Sequence, residues 1–152
     1  MAIRNIVQVG DDVLRKKCFE VSEVDDKIRE LLDDMKDTLK KAEGAGLAGP
    51  QVGVLKRIFV VDVDEGYFEF INPVILSTKG IQVGQEGCLS VKGKSGTVER
   101  PRVVDIKALD RNGKPFRIKA KDFFAKAICH EYDHLDGILY IDKANKMFVE
   151  SK

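Results

Sequence analysis

Two histidines, the only ones in this 152-residue chain, stand four positions apart in His130-Glu131-Tyr132-Asp133-His134. Residues at that spacing share one face of an α-helix, so as a helix this segment turns both imidazoles to one point. Two ring nitrogens aimed together can hold a metal ion. Glu131, beside the first of them, can reach a water at that ion without ligating it. The plain alternative is a solvated polar helix face; the spacing, the glutamate and the surrounding helical pattern all favour the metal.

The flanking sequence supplies that helix. Asp122 to Leu135 carries Phe123, Ala127, Ile128 and Leu135 at helical spacing, as candidate core positions. A second amphipathic helix is predicted from Asp25 to Glu43, with Ile28, Leu31, Leu32, Met35, Leu39 and Ala42 on its apolar stripe. Asp25 or Asp26 fits its start and Gly44 its stop. Between the helices, Arg57 to Val63, Tyr67 to Leu76, Val103 to Leu109 and Phe116 to Ala120 read as strands. Asp110-Arg111-Asn112-Gly113 predicts a hairpin joining the last two. One run of strands between two helices, without βαβ alternation, predicts a single α+β domain over residues 1–152.

Composition sets the outer bounds. Hydrophobic residues at 43% and charged residues at 34% suffice for a packed core and argue against disorder. A net charge of +1 gives no electrostatic reason to expect nucleic acid or an anionic membrane as partner. No stretch approaches the roughly 20 apolar residues that span a bilayer, and no targeting segment opens the chain, so a cytoplasmic location is expected. Cys18, Cys88 and Cys129 are an odd number, which argues against a disulfide framework. Cys18 and Cys129 read as small buried hydrophobes.

A catalytic metal site needs about three protein ligands and one open position. With no third histidine, the missing ligand must be Cys, Asp or Glu. Cys88 is the best placed, in Gln85-Glu86-Gly87-Cys88-Leu89-Ser90: Gly87 lets backbone approach an ion, and a thiolate binds Zn²⁺ or Fe²⁺ strongly. Spacing alone leaves that choice open. Asp133 points off the ligand face and reads as a support. A third segment, Gly44-Ala45-Gly46-Leu47-Ala48-Gly49-Pro50-Gln51, happens to fit GxGxxG. A dinucleotide site needs a strand before and a helix after; here a helix precedes and Pro50 follows, so that reading fails. A close-approach loop beside the active site fits better, with Gln51 as its hydrogen-bonding side chain.

Together these segments resemble peptide deformylases. That family is marked by a Gly-rich stretch ending in Gln, by Glu-Gly-Cys-Leu-Ser, and by His-Glu-x-x-His-Leu-x-Gly. The chain supplies Gly44 to Gln51, Glu86 to Ser90 and His130 to Gly137, in that order. The resemblance implies antiparallel sheets packed around the helix that carries the histidines. It implies Cys88, His130 and His134 as metal ligands and Glu131 as general acid and base. Gln51 and the Leu89 N–H would face the oxyanion, while Gly46, Glu86 and Gly87 would contact substrate. Leu89, Phe123 and Ala127 are candidates for the methionine pocket as well as for core. The implied ion is Fe²⁺, one per chain, with Zn²⁺ or Ni²⁺ able to substitute. The implied substrates are nascent N-formylmethionyl polypeptides, and the ribosome is a transient partner. Only Ile138 to Lys152 follow the third motif, which is too short for the long C-terminal helix some members use to dock there.

Three positions depart from the family pattern. Gly49 replaces a usual alanine and is expected to loosen the loop before Gln51. Lys92 replaces a common proline on the groove wall beyond Ser90. Cys129 replaces a common glutamine but sits about 100° round the helix from His130, so it is not read as a ligand. Two other functions compete: a His-Glu-x-x-His protease, and a non-catalytic module closed around structural zinc. The protease usually takes His or Glu as its third ligand, and structural zinc takes four ligands.

Overall fold

The computed structural model describes residues 2–149. Helix α1 (Asp26–Ala42) starts where the Asp25 carboxylate accepts the Ile28 N–H at 3.1 Å. It ends in a Schellman arrangement, with Glu43 N–H donating to the Lys40 carbonyl and Gly44 N–H to the Leu39 carbonyl. The left-handed residue is Glu43, at φ 56°, and not the glycine that the sequence suggested as the stop.

Strands β1 (Gly46–Ala48), β2 (Ile58–Val63), β3 (Gly66–Lys79), β6 (Val103–Leu109) and β7 (Pro115–Lys121) form one antiparallel sheet in the order β1-β2-β3-β6-β7. The predicted β6–β7 hairpin is present, with Gly113 at φ 77° in its turn. In β2, Ile58 and Val60 pack with Leu31, Leu32 and Met35 of α1, whereas Phe59 and Val61 pack on the opposite face. All four are completely buried, so β2 is the floor of two cores at once. The opposite face is covered by α2 (Asp122–His134), through Phe124, Ala125 and Ile128.

A second antiparallel sheet, β4 (Gln82–Cys88), β5 (Val91–Arg100) and β8 (Lys146–Val149), has the order β4-β5-β8. It lies on the other side of α2, so the histidine helix runs between two sheets. The sequence pattern missed this sheet, and it missed β1. Gly84, Gly87, Gly93 and Gly96 remove from β4 and β5 the branched side chains by which strands are recognised.

The β4–β5 pairing is broken at its tip. Glu86 faces Gly96 and Cys88 faces Val91, so a two-residue step on β4 meets a five-residue step on β5. The surplus on β5 includes Lys92, Gly93 and Lys94, with Gly93 at φ 76°. Bulges of this kind re-aim side chains beside active sites.

Phe123, a candidate core position, is instead 54% exposed, because it starts α2 at the edge of the sheet. Ala127, Ile128 and Leu135 are buried. Gly49 does not loosen its loop. A Cβ there would stand 2.7 Å from the Val54 carbonyl oxygen and 2.9 Å from that of Lys56, so the loop closes tightly on the glycine.

Candidate active site and metal centre

Cys88 ends β4 beside the Leu89-Ser90 turn, and His130 and His134 face it from the last turns of α2. One ligand atom from each of the three lies within 4.8 Å of the others, and Cys88 Sγ is 3.5 Å from His134 Nε2. The imidazole rings meet edge to face, 5.2 Å apart. Thiolate and two imidazoles form a donor set suited to a borderline or soft divalent ion. The electrostatics agree with a cation. Burial disfavours charge on His130, yet the nearby Glu131, Cys88 and Glu86 push its pKa up to about 10. Burial, followed by repulsion from His130, pushes His134 well below the usual range. The pocket thus favours a positive charge at His130 and disfavours a second one at His134.

Behind His130 lies a buried chain of charge. Glu86 Oε1 is 2.9 Å from His130 Nδ1, which leaves Nε2 for the ion. Arg100 clamps Glu86 through two bonds of 2.9 Å, Nε to Oε2 and Nη2 to Oε1, and donates to Asp133 Oδ2 at 2.6 Å. Burial opposes the Glu86 charge, but His130 and Arg100 outweigh it and hold the pKa at about 2. Both Glu86 oxygens are therefore occupied, and Asp133 supports the array. The sequence reading missed Arg100. A lone arginine in a charged stretch carries no local sign of burial, although this one is 3% exposed.

Glu131 is 4% exposed, its Oε2 lies 4.0 Å from His130 Nε2, and its Oε1 has no hydrogen-bond partner among the described residues. Burial raises its pKa to about 7, which suits a group that must both take and return a proton at neutral pH. Gly46 makes room for it: a Cβ at that position would stand 2.5 Å from Glu131 Oε2.

Gln51 is 1% exposed and oriented without ambiguity. Its Oε1 accepts the Ala48 N–H at 2.9 Å, so its amide nitrogen points to Ser90 Oγ at 3.1 Å and Cys88 Sγ at 3.5 Å. The first residues of the chain brace this arrangement. Val7 N–H donates to the Gln51 carbonyl at 2.7 Å, Val9 N–H to the Ser90 carbonyl at 2.7 Å, and the Gln8 amide to the Leu89 carbonyl at 3.0 Å. Nothing in the local sequence marks Gln8, since its partner is 81 positions away.

These groups open into a cavity of about 310 Å³, which Gly46, Gln51, Glu86, Gly87, Cys88, Leu89, Phe123, Ala127, His130 and Glu131 help to line. His134 completes the three-donor cluster and is 1% exposed. Cys18 and Cys129 are buried and stand outside the cluster.

Comparison with known proteins agrees with this geometry. The family model described as Polypeptide deformylase matches residues 3–149. The chain is 53% identical to a peptide deformylase of Clostridium botulinum, covering 96% of this chain and 99% of that protein. It is 49% identical to one of Thermoanaerobacter pseudethanolicus, covering 100% and 96%. Among solved structures, the peptide deformylase of Thermotoga maritima superposes with a TM-score of 0.92 at 35% identity, covering 94% of this chain and 98% of that one. That of Ehrlichia chaffeensis in complex with actinonin superposes with a TM-score of 0.93 at 38% identity, covering 96% and 91%. With family model, relatives and solved structures in agreement over nearly the whole length, the chain belongs to the polypeptide deformylase family.

Proposed function

We propose that Cys88, His130 and His134 hold one divalent metal ion and that Glu131 carries the proton in the reaction of this family. That reaction is hydrolysis of the N-formyl group of N-formylmethionyl peptides, giving formate and a free N-terminal methionine. The observation that carries the assignment is the three-donor cluster, with the buried, unpartnered Glu131 Oε1 close by.

Held by Cys88, His130 and His134, a divalent ion would polarise a carbonyl oxygen and lower the pKa of water towards about 7. Glu131 accepts a proton from the attacking water, and the water oxygen bonds to the formyl carbon. The Gln51 amide and the Leu89 N–H donate to the oxyanion as it forms. Glu131 then gives its proton to the amine as the C–N bond breaks. Gly46 and Gly87 let the peptide backbone come close. Glu86 lines the cavity, while its carboxylate orients His130. Leu89, Phe123 and Ala127 supply apolar surface for the methionine side chain.

The donor set and the family resemblance support Fe²⁺ as the working ion, with Zn²⁺ or Ni²⁺ as substitutes. Residues 1–152 form one catalytic domain that meets its substrates in the cytoplasm, with transient contact at the ribosome. No helix of the described residues is long and apolar enough to cross a membrane. The protease and structural-zinc readings gain no support, since the described cluster has three donors including a cysteine and the relatives are deformylases.

Metal analysis of anaerobically purified protein, beside a formyl-peptide assay, tests the assignment. One ion per chain should be found, and Cys88→Ser should lose both ion and activity. Full occupancy with intact turnover in Cys88→Ser would overturn the ligand set.

A further inference from the structure

The rim of the catalytic cavity carries charge that deformylation itself does not require. Lys92, Lys94 and Lys126 all line it. Among the described residues, none of the three belongs to an ion pair. The carboxylates of the same cavity do not offset them: Glu86 and Glu131 are 5% and 4% exposed, and Glu86 is held by Arg100. Nor is the cluster a reflection of overall basicity, since 26 Lys and Arg face 25 Asp and Glu in the whole chain.

The placement is built into the fold. Lys92 and Lys94 ride on the surplus residues of β5, where the β4–β5 register breaks and Gly93 turns the chain at φ 76°. Lys126 is tethered across the cavity, its ammonium donating to the Gln85 carbonyl at 2.8 Å. Gly84 leaves space for it, because a Cβ there would stand 3.2 Å from Lys126 Nζ. A neutral carbonyl does not cancel the charge, so the ammonium stays available to an anion.

A formylated peptide bound with its carbonyl at the cluster must lead the rest of its chain out through this mouth. At roughly 3.3–3.6 Å per residue, the second and third side chains fall within about 10 Å of the methionine, beside the rim. We infer that Lys92, Lys94 and Lys126 make this enzyme select formylmethionyl peptides with acidic side chains at the second and third positions. This specificity rests on the deformylation reading above.

Each solvent-exposed lysine–carboxylate contact contributes a few-fold at most, and screening shortens its reach. Three such contacts, with some steering of the incoming peptide, give roughly tenfold in kcat/KM at low salt. The test uses the metal-loaded full chain and three substrates: formyl-Met-Glu-Glu, formyl-Met-Gln-Gln and formyl-Met-Lys-Lys. The expected order is Glu above Gln above Lys, with about tenfold between the ends at low salt. That span should contract towards unity near 1 M salt, where the Debye length is about 3 Å. In the Lys92→Gln/Lys94→Gln/Lys126→Gln triple variant, the Glu-to-Gln ratio should fall to about one. Equal kcat/KM for the three peptides, a preference for lysine, or an acidic preference that survives 1 M salt would overturn the inference while leaving deformylation standing. Failure to cleave any of the three would refute the deformylation reading, and this inference with it.

Discussion

At the scale of single residues, the proposed assignment separates holding an ion from moving a proton. Glu131 does not belong to the donor cluster, so Glu131→Gln should keep the metal and lower kcat by about 10²–10⁴, because an amide neither takes nor returns the proton. Loss of metal from that variant would make Glu131 a ligand. Gln51→Leu removes a donor whose partner gains charge only during reaction. Its kcat should fall by about 10²–10³ with little change in KM or metal content. A near-normal kcat, or a large loss of Tm instead, would reduce Gln51 to packing. The thiols differ as well. Burial pushes Cys18 and Cys129 up to about 11, so at pH 8 both stay protonated and inert in the folded protein. An alkylating reagent should therefore label one thiol, Cys88, in the metal-free folded protein and all three after denaturation. The motif residues were legible in the sequence because their chemistry is local: histidines one helical turn apart, a cysteine after a glycine. Arg100 and Gln8 were not, because each acquires its role from a partner distant in sequence.

At the scale of elements, the N-terminal segment acts as a strap. Ala2 N–H and the Arg4 guanidinium bind Asp34 on α1, Arg4 N–H binds Thr38, and residues 7–9 then reach Gln51 and the Leu89-Ser90 turn. Gln8→Ala should lower kcat several-fold with unchanged metal content, because the turn that follows the Leu89 N–H loses the bond that holds its Leu89 carbonyl in place. A changed KM with constant kcat would count against that role. Burial alone would raise the pKa of Asp34, but the Ala2 N–H and Arg4 lower it below the ordinary value. A depressed carboxyl stabilises the fold fully above the unfolded pKa of about 3.9 and loses that contribution as pH falls through the folded value. The gap in Tm between wild type and Asp34→Asn should accordingly narrow as pH drops from about 5 towards 3. The strands that the sequence missed share one cause. β1 is three residues long, and β4 and β5 are rich in glycine and charge, so their pairing comes from tertiary placement and not from local preference.

At the scale of the whole molecule, the three proposed ligands come from two different structures, which the Glu86–His130 and Arg100–Asp133 contacts already join. Cys88 belongs to the three-stranded sheet, and both histidines belong to the helix between the sheets. An ion bridging them is a rivet through two plates, and its binding free energy becomes resistance to their parting. Stripped of metal, the protein should first come apart along that seam. Amide exchange in β4, β5 and β8 would quicken while β2, buried on both faces, stays protected. An enzyme of this build would then lose its fold locally whenever a bound ion is lost, and the same event that silences the chemistry would expose a glycine-rich hairpin to proteolysis.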